Sequence, residues 1–219
     1  YKGRLLGAGL TPIGPGGLDT VFFTNSGAEG VDTAIKYARA ATGRARIVYV
    51  KKAFHGLTVG SLAVNGNDEF RAGFGPLDAH TTEIEFNDLA ALEAELRKGD
   101  VAGFIVEPIQ GKGVFMPDDD YLSGAASLCK KHGALFVADE VQTGYGRTGK
   151  MFAVEHWGVE PDILVTAKGL SGGYVPVGAV LSRRWIHEKV FSSLDRCVVH
   201  STTFGQNDLA MAAGLASLH

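Results

Sequence analysis

The chain has 219 residues, a formal net charge of −3 and 45% hydrophobic residues, which is typical of a globular domain with a sizeable core. The small, well-mixed charge argues against a nucleic-acid-binding surface. No apolar run approaches the about 20 residues that a membrane-spanning helix needs. The first residues lack the pattern of a secretory signal. We therefore expect a cytoplasmic protein that binds neither nucleic acid nor membranes.

The predicted strands are continuous apolar runs that alternate with helices. The strands are expected at 20–25, 46–50, 101–108, 134–140, 162–167 and 177–184. The helices are expected at 27–43, 86–100 and 121–133, and 208–219 has helical character. Asn87 is the predicted N-cap of the second helix, and Gly43 and Gly133 are predicted C-terminal stops. Continuous apolar strands favour an α/β fold, a three-layer αβα arrangement around a mostly parallel central sheet.

The two cysteines, Cys129 and Cys197, lie far apart and outside any metal-ligand spacing. We predict reduced thiols in the protein core and no metal site. The chain lacks an initial Met and ends within an apparently helical stretch, so we expect that it is part of a longer protein.

In open α/β sheets, ligands bind beyond the carboxyl ends of the strands. The first strand is followed by Ser26, Gly27 and Ala28 at the start of a helix, where free N–H groups suit a phosphate. The alternative is a simple helix cap. The second strand leads to Phe54 and His55. The Phe54 ring can either stack on a flat heterocycle or belong to the core.

Two charged residues follow buried strands. The run 134–140 ends in Asp139 and Glu140. An acid at this place is costly unless a positive group meets it, and a helix cap or a structural ion pair is the alternative. Lys168 follows the run 162–167 with small neighbours, and the alternative for it is a side chain that extends to solvent.

Taken together, these strand-end residues match the needs of one ligand, pyridoxal 5′-phosphate. Its phosphate needs a helix N-terminus, its ring a face partner, its pyridine nitrogen an acid, and its aldehyde a lysine for a Schiff base. The stretch Gly144–Lys150 resembles a dinucleotide or P-loop motif, but Met151 stands where a P-loop needs Ser or Thr, and no helix register follows.

The sequence resembles the class III (ω-type) aminotransferases, which are pyridoxal phosphate enzymes of fold type I. The matching stretches are FFTNSGAEGVDTAIKYAR, FHG, VEPIQG, DEVQTGYGRTGKMFAVEHWGVEPDI, AKGLSGG, VPVG and STTFGQN. They follow the family's order along nearly the whole chain. The resemblance implies that 1–219 is the large cofactor-binding domain, and that a small domain is built from chain ends outside this sequence.

The resemblance also implies roles for individual residues. Lys168 would carry the cofactor as a Schiff base and shuttle a proton between cofactor and substrate carbons. Asp139 would pair with the pyridine nitrogen. Gln142 would lie near the ring hydroxyl, and Glu107 close to the ring.

The remaining implied cofactor-binding residues contact the ring face or the phosphate. Phe54 would stack on the ring, with His55 beside it, and 26–28 would hold the phosphate. Thr203 would reach the cofactor phosphate of a partner subunit, so the resemblance implies a homodimer.

Lys112 departs from the family pattern. Many members have Glu two residues after the Gln of VEPIQG, and that Glu pairs with an arginine of the C-terminal domain to let one site accept both an ω-amine donor and 2-oxoglutarate. A lysine cannot make this pair. Either the switch is absent, with Lys112 pointing to solvent, or Lys112 itself binds a carboxylate or acyl group of the substrate.

We therefore expect a transaminase that moves an amino group between an ω-amino compound or diamine and a keto acid or aldehyde. Two alternatives remain open. One is other pyridoxal phosphate chemistry on the same fold, such as an aminomutase, a racemase or a decarboxylating enzyme. The other is a non-catalytic domain of a larger assembly enzyme.

Overall fold

The computed structural model describes residues 2–218 and contains one seven-stranded mixed sheet in the order β1-β7-β6-β5-β4-β2-β3. The strands are β1 (Thr20–Thr24), β2 (Arg46–Val50), β3 (Thr81–Ile84), β4 (Val101–Val106), β5 (Leu135–Asp139), β6 (Ile163–Thr166) and β7 (Gly178–Ser182). Strands β3, β2, β4, β5 and β6 pair in parallel, whereas β7 runs antiparallel to both β6 and β1. The predicted mostly parallel sheet is confirmed.

Helices cover both faces of the sheet. They are α1 (Lys2–Leu10), α2 (Gly27–Thr42), α3 (Val59–Ala63), α4 (Asp68–Arg71), α5 (Leu89–Leu96), α6 (Tyr121–His132), α7 (Arg184–Val190) and α8 (Asp208–Ser217). Short 3₁₀ turns occur at Ala153–Trp157, Lys168–Ser171 and Leu194–Arg196. No helix in the range 2–218 has both the length and the apolar character needed to cross a membrane.

Two separate apolar cores explain the three layers. Val48 and Val50 of β2 belong to the core that includes residues of α1, α5, α6 and α8. Ile47 and Tyr49 of the same strand belong to the core under α2 and α7. Successive side chains of a strand point to opposite faces, so a continuous apolar strand is buried on both sides.

Helix α2 is fixed at both ends. Ser26 is its N-cap and accepts a hydrogen bond from the Glu29 N–H at 3.2 Å. Gly43 adopts a left-handed conformation (φ 68°), and its N–H bonds to the Arg39 carbonyl, which is the usual glycine termination of a helix. These caps determine where the helix N-terminus points relative to the sheet.

The second predicted helix begins later than expected. Helix α5 starts at Leu89, and its N-cap is Asp88, which accepts a hydrogen bond from the Ala91 N–H at 2.8 Å. The prediction of Asn87 as the cap was wrong. Asn87 has φ 68°, and its Oδ1 instead accepts a hydrogen bond from the Asp118 N–H, so it belongs to the preceding turn.

The prediction for the cysteines holds in part. Cys129 is fully buried in α6, and burial raises the pKa of its thiol. Cys197 is exposed, so the expectation of a second core thiol was wrong. Both thiols are free.

Candidate active site

A cavity of about 1240 Å³ opens at the carboxyl ends of the parallel strands. Its walls come from the segments that follow β1, β2, β4, β5 and β6. All the predicted site residues except Thr203 line it, namely Ser26, Gly27, Ala28, Phe54, His55, Glu107, Lys112, Asp139, Gln142 and Lys168. The structure therefore brings residues that are up to 142 positions apart to one place, counting from Ser26 to Lys168.

The N-terminus of α2 forms one wall of the cavity. Ser26 satisfies two of the first helical N–H groups, because its Oγ accepts from Glu29 N and its carbonyl from Gly30 N. Within the described residues, the N–H groups of Gly27 and Ala28 have no acceptor. A Cβ at Gly27 would lie 2.8 Å from the Val141 methyl groups. The glycine thus lets the segment after β5 pack against the helix terminus.

Asp139 and His55 form a buried pair at the end of β5. The His55 Nδ1 lies 2.7 Å from Asp139 Oδ2, and the Val141 N–H donates to Asp139 Oδ1. Burial lowers the pKa of His55, but its hydrogen bond to Asp139 and the charges of Asp139 and Glu107 outweigh it, so the pKa lies above 6.5. A protonated His55 stabilises the Asp139 carboxylate in the wall of the cavity.

Lys168 lies two residues after the end of β6 and starts a 3₁₀ turn. Its backbone φ is 36°, a strained conformation for a residue with a side chain. The side chain extends into the cavity, where Nζ donates to Gln142 Oε1 at 2.6 Å. Gly169 packs against Tyr145, whose Cβ would lie 3.1 Å from a Cβ at position 169. These contacts hold the amine at one side of the cavity.

Glu107 joins two loops of the site. It is 5% exposed, and its two carboxylate oxygens accept the Phe54 N–H at 2.9 Å and the Gly111 N–H at 2.8 Å. Burial raises the pKa of this carboxyl group. Glu107 thereby fixes the loop that carries Phe54 relative to the loop that carries Lys112.

Sequence reasoning missed several residues of the cavity wall. Phe70 lies on the short helix α4 and contacts Phe54 edge to face, with 5.3 Å between the ring centroids. Tyr145 and Arg147 belong to the loop after β5. Phe70, Tyr145 and Arg147 do not directly follow an apolar strand. A search limited to the residues at the carboxyl ends of strands therefore could not find them. Composition alone carried no signal for α4.

Thr203 lies outside this cavity. It is exposed and lines a separate groove of about 500 Å³ together with Glu29, Asp32 and His200. Within the described residues it therefore makes no contribution to the cavity that contains Lys168.

Comparison with known proteins identifies the family. The family model for class-III aminotransferases matches residues 5–219. Putrescine aminotransferase from Pectobacterium atrosepticum is 44% identical over 98% of this chain and 47% of its own length. Acetylornithine aminotransferase from Bacillus subtilis is 45% identical over 91% of this chain and 51% of its own. The chain thus spans about half the length of these relatives.

Solved structures agree with this result. A transaminase from the marine bacterium Virgibacillus has a TM-score of 0.94 at 33% identity, over 100% of this chain and 53% of its own. The Toxoplasma gondii ornithine aminotransferase, whose structure shows partial occupancy of pyridoxal phosphate at its active site, has a TM-score of 0.86 at 35% identity. That alignment covers 91% of this chain and 48% of the other. The chain belongs to the class-III aminotransferase family, whose cofactor is pyridoxal phosphate.

The residues present fit this cofactor. The free N–H groups at 27 and 28 offer donors for a phosphate, and both residues line the cavity. Asp139 offers a carboxylate, and Lys168 an amine, in the walls of the same cavity. The phosphate, the pyridine nitrogen and the aldehyde of pyridoxal phosphate thus each have a chemically suitable group in this cavity.

Proposed function

We propose that this chain is the large cofactor-binding domain of a pyridoxal phosphate-dependent transaminase, with the domain spanning 1–219. The enzyme would move an amino group between an ω-amino compound or diamine and a keto acid or aldehyde. The observation that carries the proposal is the convergence of the Lys168 amine, the Asp139 carboxylate and the α2 N-terminus on one cavity. The names of the relatives support the donor class, because putrescine is a diamine and ornithine has an ω-amino group.

Each residue of the cavity then has a chemical task. The bound cofactor supplies an electron sink for the substrate carbon. Lys168 would tether the cofactor aldehyde and carry a proton between the two reacting carbons, with Gln142 orienting its Nζ. Asp139, supported by His55, would keep the ring nitrogen protonated.

The phosphate and ring contacts complete the proposed site. The N–H groups of 27 and 28 and the Ser26 hydroxyl would bind the phosphate, while Phe54 would stack on the ring. The homodimer in which Thr203 contacts the partner's cofactor phosphate stays a prediction, as does the cytoplasmic location. The exposed position of Thr203 is compatible with such a contact.

A spectroscopic cycle tests the proposal. The full-length protein, loaded with pyridoxal phosphate, is mixed with putrescine or another member of a panel of diamines and ω-amino acids, and the visible absorbance is followed. We expect the absorbance to disappear with an amine donor and to return with a keto acid or aldehyde. Bleaching by no donor, or no return with any acceptor, would contradict a transaminase. A protein that does not take up the cofactor would support a non-catalytic domain.

A further inference from the structure

Lys112 lines the same cavity as Lys168 but has no task in the cofactor site described above. It directly follows Gly111, which packs closely on Gln142: a Cβ at position 111 would lie 2.7 Å from Gln142 Cδ. Gln142 in turn accepts the hydrogen bond from Lys168 Nζ. Because consecutive Cα atoms are about 3.8 Å apart, the backbone of Lys112 begins beside the residue that holds the reactive amine.

Aromatic and acidic neighbours hold the Lys112 side chain at the cavity wall. Its Nζ lies 4.7 Å from the centroid of the Phe70 ring, and it forms an ion pair with Glu69. Phe70 contacts Phe54, and Glu107 anchors the backbone of Gly111. The cation is therefore positioned by the same elements that position the proposed ring-stacking residue.

The ion pair with Glu69 is easily exchanged. The side chains of Lys112 and Glu69 are 46% and 61% exposed, and ion pairs at such exposure contribute little to stability. A carboxylate that enters the cavity can therefore replace Glu69 as the partner of Lys112 at small cost. The planar Phe70 ring would remain beneath the cation during this exchange.

We propose that Lys112 binds the carboxylate of a keto acid substrate, and that Glu69 is its counter-ion when no substrate is present. This inference rests on the proposed transaminase function and narrows its acceptor to keto acids. An uncharged aldehyde has no carboxylate for Lys112 to contact. Lys112 is then a specificity-determining residue whose effect is confined to acceptors with a negative charge.

The test compares a keto acid with an aldehyde of equal chain length. The full-length protein is loaded with pyridoxamine phosphate, and the half-reactions with pyruvate and with propanal are measured. Lys112→Met keeps an apolar stem on Phe70 but removes the charge. We expect the pyruvate concentration that half-saturates the rate of the half-reaction to rise about tenfold, the effect of losing one charge-assisted contact. The maximal rate should change little, and the half-reaction with propanal should be unaffected. Glu69→Gln removes the competing anion and should lower the half-saturating concentration of pyruvate.

A matched control is available elsewhere on the surface. Lys51 and Glu85 form an ion pair with similar side-chain exposures of 50% and 65%, outside the cavity wall. Lys51→Met should leave both half-reactions unchanged.

If Lys112→Met affects the half-reactions with pyruvate and propanal equally, or affects neither, the inference fails while the transaminase proposal stands. The inference also fails if the wild-type protein accepts propanal but not pyruvate. Failure with these two and with every other member of a panel of keto acids and aldehydes would overturn the proposed function and the inference together.

Discussion

At the scale of single residues, the buried pair of His55 and Asp139 controls the charge in the cavity wall. The two side chains are 3% and 4% exposed and lie 2.7 Å apart. Burial disfavours a charge on either residue alone, whereas each charge stabilises the other. The His55 Nε2 is buried and has no hydrogen-bond partner in the part of the chain that the structure describes, so its bond to Asp139 is its main polar contact.

The raised pKa of His55 predicts a pH-dependent stability. A group whose pKa is higher in the folded state stabilises the fold fully below its unfolded pKa, near 6.5, and this contribution is lost as the pH rises through the folded pKa. Replacing His55 with Gln removes it. The difference in unfolding free energy between wild type and His55→Gln, measured in urea, should therefore be largest below pH 6.5 and shrink as the pH rises. A difference in unfolding free energy that grows with pH would contradict a raised pKa of His55 in the folded protein.

Residues that end apolar strands could be placed in the cavity from sequence because parallel strands deliver their carboxyl ends to one edge of a sheet. Asp139 and Lys168 are examples. The contact partners of the cavity residues were not predictable, since the pairing of Asp139 with His55 and of Lys112 with Glu69 depends on how the loops pack. Phe70 was missed for the same reason.

At the scale of elements, the close approach of α2 to the loop after β5 determines the shape of the proposed phosphate site. A side chain at position 27 would collide with Val141, at 2.8 Å from both of its methyl groups. The glycine is therefore needed for packing rather than for an unusual backbone conformation.

Replacing Gly27 with Ala should destabilise the fold, and a second change should reverse the effect. Overpacking of this kind costs about 1–3 kcal/mol, so Gly27→Ala should lower the unfolding free energy by about that amount. Removing the opposing methyl groups with Val141→Ala in the same chain should restore most of it. Urea unfolding of the two single variants and the double variant checks this prediction. Purely additive losses in the double variant would argue against the contact.

The strands of the sheet centre and the edge strand β1 were predictable, whereas the opposite edge strand, β3, was not. β4 and β5 are buried along their whole length, and this burial produces the apolar runs in the sequence. β3 (Thr81–Ile84) pairs only with β2 at the edge of the sheet, and only Ile84 in it is buried. Its polar sequence resembles a loop. Asn87 was misassigned because its side chain bonds to a distant segment, Asp118.

At the scale of the whole molecule, the order of the strands assembles the site. β4, β5 and β6 are neighbours in the sheet, so Glu107, Asp139 and Lys168 lie at the carboxyl ends of adjacent strands. The antiparallel insertion of β7 between β6 and β1 was not predictable from the apolar runs, because strand direction leaves no mark on them. This insertion leaves β1 parallel to β6, so the start of α2 faces the same cavity as Lys168.

The account depends most on the covalent role of Lys168, and Lys168→Ala tests it directly. In the full-length protein loaded with pyridoxal phosphate, the rate of the amine half-reaction is measured for wild type, Lys168→Ala and the surface control Lys150→Ala, whose residue lies outside the cavity wall. The account predicts a loss of about a thousandfold or more for Lys168→Ala, as expected when a proton-transfer group is removed, together with loss of the visible absorbance of the tethered cofactor. Lys150→Ala should behave as wild type. An unchanged rate and spectrum in Lys168→Ala would contradict the account.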